Sequence, residues 1–469
     1  MLFNSIEYLF FLPIVFIIYW LLKSSYKNQN IILLISSYVF YGWWDHKFLS
    51  LIIFSSFLDY FVGLKLDAAE GQDKKKRWLL ISLFSNLGLL GVFKYYNFFA
   101  DSFATTMSAV GWEVNDLTLN IILPVGISFY TFQTLSYSID IYRGQIKATK
   151  DMIGFFTYVS LFPQLVAGPI ERASNLIPQI ENKRTLNITL IKTGIFQIFI
   201  GLFRKVAIAD NLGIYVDSVY SNQDIHNGST LLVATVFYAF QIYFDFSGYS
   251  DIAIGSAKLF GFNFNRNFNF PYFSRTLTEF WRRWHMSLSF WLRDYLYISL
   301  GGNRKGIVLT YRNLLLTMLL GGLWHGSSWN FVIWGGIHGL FLSLEKYTFS
   351  ALKIKTFNAF GYIYTFIIVL ISWVFFRAPD LPTASSICGK IIGFDYGPLF
   401  MGNINTFVNA LLLLTLGVLV DLKIFRSASS LEDYGVRFST VKLSIIVSVI
   451  ILTLCLFYST AENFIYFQF

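Results

Sequence analysis

Long apolar stretches, each close to the length of a bilayer-spanning helix, alternate along this chain with short polar loops. A hydrocarbon core of about 30 Å needs about 20 apolar helical residues. On that measure membrane segments are expected near 2–22, 30–44, 48–66, 78–98, 118–142, 152–168, 190–209, 230–257, 307–324, 329–348, 355–376, 404–422 and 441–458. Several are short or carry polar residues. The pattern therefore predicts about 10 to 12 full crossings, with the rest re-entrant or interfacial. An open sheet could not satisfy its backbone in lipid, so the expected fold class is all-α. The first run has no Lys or Arg before it, and Lys23 and Lys27 follow it. A signal peptide has the reverse order, so 2–22 reads as a retained first membrane helix with its N-terminus outside.

Composition supports this reading. Of 469 residues 55% are hydrophobic and only 13% charged, about half the charge of a soluble domain. The 36 Lys+Arg against 27 Asp+Glu leave a net charge of +9. The basic residues sit in short loops, as on the cytoplasmic side of a polytopic protein, which argues against nucleic acid as a partner. Lys65, Lys74, Lys75, Lys76 and Arg77 read as inside, as do Arg143, Lys147, Lys150, Arg172, Lys183 and Arg184. Asp101, Glu113 and Asp116 read as outside, and so do Asp217 and Asp224. Lys423, Arg426 and Arg437 read as inside again, sending Phe469 outside. Two distant cysteines, Cys388 and Cys455, make neither a disulfide framework nor a familiar zinc site.

Most chemistry-capable residues fall between 243 and 340, within what reads as a single membrane-embedded domain over 1–469. Asp245 and Asp251 are six apart in an apolar stretch. Carboxylates there are costly in lipid and need either a substrate or a structural partner such as Arg. From Phe262 to Phe270, Phe and Asn alternate. This is expected to be an interfacial loop, rings in lipid and amides among headgroups. In Phe280–Ser289 an amphipathic helix would put Arg282 and His285 on one face, either as an interface helix with snorkelling arginines or as a basic wall for an anionic donor. His325 lies in Gly321–Trp329 between two apolar helices, flanked by glycines, with Trp324 and Ser327 beside it. His338 is 13 residues on, which on one continuous helix puts the two on different faces, unlike a two-His metal pair. No metal is expected. There is no Walker loop, dinucleotide fingerprint or nucleophile elbow.

The runs Glu279-Phe-Trp-Arg-Arg-Trp-His285-Met-Ser287 and Leu323-Trp-His325-Gly326 resemble the signature of the membrane-bound O-acyltransferases. Pro124–Tyr130, Phe162-Pro-Gln164, Gly168-Pro-Ile170 and Phe244–Asp251 add to the resemblance, which covers nearly the whole chain. It is strongest to the bacterial branch that O-acetylates polysaccharide, and more distant to the proteins that move D-alanine onto teichoic acids. The resemblance implies helices around a central funnel that reaches a buried histidine, with His325 as the catalytic histidine and His285 as its active-site companion. It implies a cytoplasmic thioester donor, acetyl-CoA, used as a substrate rather than a bound cofactor. It also implies a hydroxyl acceptor on an exported polysaccharide such as alginate, and an extracytoplasmic protein that finishes the transfer. The expected location is the bacterial cytoplasmic membrane, with lipids as neighbours.

The alternative is a transporter of polysaccharide or lipid-linked sugar, which predicts internally similar halves that the sequence lacks. Candidate substrate-binding residues are Arg282, Trp324, Ser327, Asp245, Asp251 and Tyr466. The last belongs to the aromatic tail Phe464–Phe469. That tail is expected to pack in a groove or lie at the membrane interface, or else to fold back to the external mouth of the funnel. There Tyr466 would meet the acceptor side, as a docking surface or as a transient acyl carrier.

Overall fold

A computed structural model describes residues 1–114, 117–119, 121–166, 168–352, 358–428, 430–458 and 464–467. Asp116 and the expected external position of Phe469 lie outside the described residues. Every regular element among those described is helical. Six helices are long and apolar enough to cross a membrane: Leu49–Ala68, Gln72–Ala109, Gly228–Leu259, Ile307–His325, Phe360–Arg377 and Ile404–Ser427. Ile6–Leu21, Met152–Leu165 and Thr440–Leu456 are shorter apolar stretches. Large apolar side chains lie exposed along them, among them Leu9, Ile14 and Leu21 on the first helix and Leu412, Leu416 and Leu419 on Ile404–Ser427. Contiguous apolar surface of this kind is at home in lipid.

The chain divides into two compact units, one of residues 1–187 with 259–264, the other of 188–258 with 265–469. In the first, Asp59 is fully buried and accepts hydrogen bonds from Ser82 Oγ (2.5 Å), Ser138 Oγ (2.7 Å) and Asn86 Nδ2 (2.6 Å). These donors tie Leu49–Ala68 to the helices Gln72–Leu90 and Ile127–Tyr142. Arg184, expected as a loop charge, is buried in this unit. It donates to Tyr19 Oη, Ile180 O and Asn30 Oδ1. The expected segment 118–142 becomes helical only at Ile127. Pro124 precedes it, and Gly126 turns the chain at φ 78°, where an added Cβ would lie 2.8 Å from Leu165 O.

In the second unit Ile307–His325 and Trp329–Leu352 form a tight antiparallel hairpin. A Cβ on Gly335 would come within 2.2 Å of Met318 O, so glycine is what lets the two backbones approach. The hairpin puts His325 and His338 on different helices, because the chain turns at 326–328 instead of continuing.

Two further expectations are corrected. The Phe/Asn stretch is not an interfacial loop. Phe262 and Phe264 are buried in the first unit, and Asn267 and Phe270 in the second. Nor is Phe280–Ser289 one helix. It breaks between Leu277–Trp281 and Met286–Trp291, with His285 in the left-handed region at φ 40°. Arg282 is exposed and His285 fully buried, so they share no face.

Candidate active site

The second unit brings the two histidine motifs together. The His285 and His325 ring centroids are 6.4 Å apart, and both side chains are buried. His325 ends its helix at the hairpin turn and is walled by Trp324 (5.0 Å), Trp334 (5.0 Å) and Phe376 (5.5 Å). His285 meets Phe246 edge-on at 4.7 Å and Trp324 at 6.1 Å. A non-glycine residue at φ 40° is held there against an intrinsic cost of about 1–3 kcal/mol. What holds it is the stretch before it. Met286 N donates to Asn267 O (2.8 Å), and Asn269 N to Arg283 O (2.9 Å). His285 Nδ1 is 3.0 Å from Asn267 Oδ1, and His285 Nε2 has no partner among the described residues. Buried with an amide and no carboxylate at Nδ1, the imidazole is neutral. Sequence reasoning missed Asn267, which looked like one amide among several in a repetitive loop.

The tail reaches this site. Ile465 N donates to Asp245 Oδ2 (2.9 Å), and Phe464 packs on Tyr249 (4.5 Å) and Phe246 (5.5 Å). The Tyr466 ring then lies 5.6 Å from His325, 6.4 Å from His285 and 4.4 Å from Phe246. Asp245 is also paired to Lys205 (2.7 Å), which pairs with Asp210 (2.6 Å). Asp251 accepts from Arg204 (2.6 Å) and Gln197 (3.0 Å), and Arg204 continues to Asp421 (2.5 Å). Both acids of the Asp245/Asp251 pair are thus committed to ion pairs and tail anchoring. Ser327 is exposed in the hairpin turn.

Arg282 opens instead onto a cavity of about 530 Å³ that also holds Trp281, Arg293, Lys346 and Met318. Trp281 donates to His338 Nδ1 (3.4 Å), and His338 lies edge-on to Trp334 (4.9 Å), which borders His325. The cavity and the paired histidines are therefore separated by a wall two aromatic residues thick.

Two buried imidazoles this close, at a helix turn of a lipid-facing helical unit, form an arrangement able to take a proton from a reacting hydroxyl and return it to a thiolate. The family profile of MBOAT, the membrane-bound O-acyltransferase family, matches residues 146–381, which include both histidines. The chain belongs to this family, and it is a multi-pass membrane acyltransferase. It is 47% identical over 396 residues to the probable alginate O-acetylase AlgI of Pseudomonas syringae pv. tomato, covering 84% of this chain and 76% of that one. It is 37% identical over 428 residues to the peptidoglycan O-acetyltransferase of Helicobacter pylori, covering 84% and 80%. A teichoic acid D-alanyltransferase of Bacillus subtilis is 28% identical over 241 residues, covering 49% and 60%. Tyr466 and Asp421 fall outside the matched region.

Proposed function

We propose that this protein transfers acetyl groups from cytoplasmic acetyl-CoA, across the bacterial cytoplasmic membrane, toward hydroxyls of an exported polysaccharide, with an extracytoplasmic protein completing the transfer. The observation that carries the reading is the pairing of His285 and His325 at 6.4 Å beside the basic cavity. Relatives named for alginate and peptidoglycan O-acetylation support acetyl as the group and a cell-surface glycan as the acceptor. Transport of the glycan itself is disfavoured by membership of an acyltransferase family.

Arg282, Arg293 and Lys346 suit the phosphates of the donor. Arg304 and Lys305 lie in the loop at the same end of the hairpin, the charge sign of a cytoplasmic face. Met318 and Leu314 line the cavity and precede His325 by seven and eleven residues on one helix, or about 10 to 16 Å. The pantetheine arm, about 13 bonds from phosphorus to sulfur, spans on the order of 15 Å when extended. The reach of a donor whose phosphates sit on Arg282 therefore matches the distance to the histidines, and the aromatic wall of Trp281 and Trp334 has to part for the thioester to pass.

In the reaction the attacking hydroxyl gives its proton to His325 as its oxygen bonds the acyl carbonyl carbon. The carbon–sulfur bond then breaks, its electron pair leaves on sulfur, and the proton passes to the thiolate. Base catalysis of this kind contributes about 10²–10⁴-fold. The position of the Tyr466 ring favours its hydroxyl as the first acceptor. The acyl ester on Tyr466 would then pass to the glycan, and the phenol oxygen would regain a proton.

The test is labelled acetyl-CoA supplied to sealed right-side-out vesicles carrying the protein and its extracytoplasmic neighbours. Transfer is expected only when the donor is loaded inside. Equal transfer from outside would refute the sidedness, and none from either side would refute the donor.

A further inference from the structure

Asn267 is 1% exposed, and its amide orientation is fixed by its neighbours. Its Oδ1 receives Ser287 Oγ (2.9 Å) and the Ser287 backbone N–H (3.3 Å). Its Nδ2 donates to Ser250 Oγ (3.2 Å). A backbone N–H can only donate, so the atom facing it must be the oxygen and not the amide nitrogen. The same oxygen faces His285 Nδ1 at 3.0 Å. An oxygen there requires a proton on Nδ1, and a neutral imidazole has only one. His285 Nε2 is therefore a bare lone pair, buried and unpartnered among the described residues.

We propose that Asn267 is a positioning residue for acyl transfer: it locks His285 in the Nδ1–H tautomer, so that His285 meets the reaction as a proton acceptor and not as an oxyanion donor. This rests on the acyltransferase reading above and sharpens it. The arrangement follows the logic of an orienting group behind a histidine, with a neutral amide where a carboxylate is more usual. The amide fixes the tautomer without adding charge to a buried site. Two rings with centroids 6.4 Å apart are too distant for a direct hydrogen bond between them. Two successive transfers need two proton acceptances: His325 takes the proton of the first attacking hydroxyl, and Asn267 leaves the His285 nitrogen able to take that of the glycan hydroxyl and return it to the phenol oxygen. The left-handed backbone at His285 belongs to the same device, since it brings Nδ1 back onto Asn267.

The groups facing His285 are Phe246 from Gly228–Leu259, Phe268, Trp324 and His325 from Ile307–His325, and Tyr466 from the tail. Only His325 and Tyr466 among them titrate. The nearest carboxylate along that helix, Asp245, is engaged by Lys205 and Ile465 N.

Three measurements on the full chain test this. Asn267→Ala should lower kcat for acetyl transfer from acetyl-CoA by roughly 10–100-fold with little change in KM, because orientation and not donor binding is lost. Asn267→Asp should keep substantial activity and move the acid limb of the kcat–pH profile up by about one unit or more, because a carboxylate at Nδ1 stabilises the imidazolium. A purely structural Asn267 would make the Asp variant as poor as the Ala variant, with an unmoved limb, and that outcome overturns the proposal. The third measurement needs no variant. Histidine ¹⁵N spectra of the detergent-solubilised wild type should show His285 protonated at Nδ1, and protonation at Nε2 instead overturns the proposal even if both variants misfold. Failure of the wild type to transfer acetyl would refute the proposed function and leave this spectrum to decide the tautomer by itself.

Discussion

Two buried charges of the first unit and two of the second are held in opposite styles. In the first, the carboxylate of Asp59 is met by two serines and an asparagine, and the guanidinium of Arg184 by carbonyls, a phenol and an amide. Both charges are dissolved in neutral dipoles. In the second, cations meet carboxylates directly: Arg204 bridges Asp251 and Asp421, and Lys205 bridges Asp210 and Asp245. Buried ion pairs are weak contributors to stability but strict about geometry, because removing one partner strands the other. The unit with the ion pairs also contains the paired histidines, and one of its pairs ends on the backbone of the tail that carries Tyr466. Neutral dipoles close a helix interface, whereas the Lys205–Asp245 ion pair fixes where the tail lies beside the histidines.

The comparison is tested most severely at the histidines. His325→Ala should leave expression and membrane insertion near normal and reduce acyl transfer by about 10²–10⁴-fold. Residual transfer above about 10% of wild type would sink the general-base role. His285→Ala should also impair transfer, and an unchanged rate would return it to a packing role. Tyr466→Phe comes next. It keeps the ring contacts with Phe246 and His325 and removes one oxygen. With the hydroxyl as acyl carrier the loss should match that of His325→Ala, and labelled acetyl should accumulate on the wild-type tail peptide when the final acceptor is withheld. Near-normal acetylation by the variant would leave the tail a packing role only.

The styles of burial themselves separate under substitution. Lys205→Met strands two carboxylates, and about 3–5 kcal/mol of stability should go with it. Transfer should fall too, as the Asp245 anchor of the tail loosens. Asp59→Asn keeps an acceptor for Ser82 and Ser138 but sets an amide nitrogen against Asn86 Nδ2, so it should cost about 1–2 kcal/mol. The rate per folded molecule should not change. Thermal midpoints and initial rates, measured on both variants in the same detergent, read out the difference. Equal losses of rate would erase the distinction between the units.

The all-helical fold could be read in the apolar runs, because a chain in lipid has few other ways to satisfy its backbone. Starts such as 307 and 404 coincide with the observed helices Ile307–His325 and Ile404–Ser427. Both histidines could be read from their motifs, and the folded unit brings them together. The break at 282–285 could not. No glycine or proline marks it, and the left-handed His285 persists only through tertiary bonds to a segment 18 residues earlier. Asn267 was hidden for the same reason, since an amide's partners are decided by the fold and not by its neighbours in sequence. The fate of Asp245 and Asp251 needed the positions of Lys205 and Arg204, which local patterning does not give.

The smallest expected effect lies at the basic cavity. Arg282 is exposed there, with Arg293 and Lys346 nearby, and Arg293 is already shared with Asp294 at 2.6 Å. One charge of three on a solvated rim contributes modestly, since charge-assisted bonds to an anion are screened where water reaches them. Arg282→Ala should therefore raise KM for acetyl-CoA by roughly 5–20-fold, equivalent to about 1–2 kcal/mol, and leave kcat within about twofold. The same variant should flatten the salt dependence of KM, because the remaining cations attract the donor less. Short-chain acetyl thioesters without phosphates provide the control. They reach the histidines without the cavity's charges, so wild type and variant should use them equally. A variant that loses activity equally with the phosphate-free thioester would assign Arg282 to the architecture around His285, and the cavity would no longer qualify as the donor's entrance.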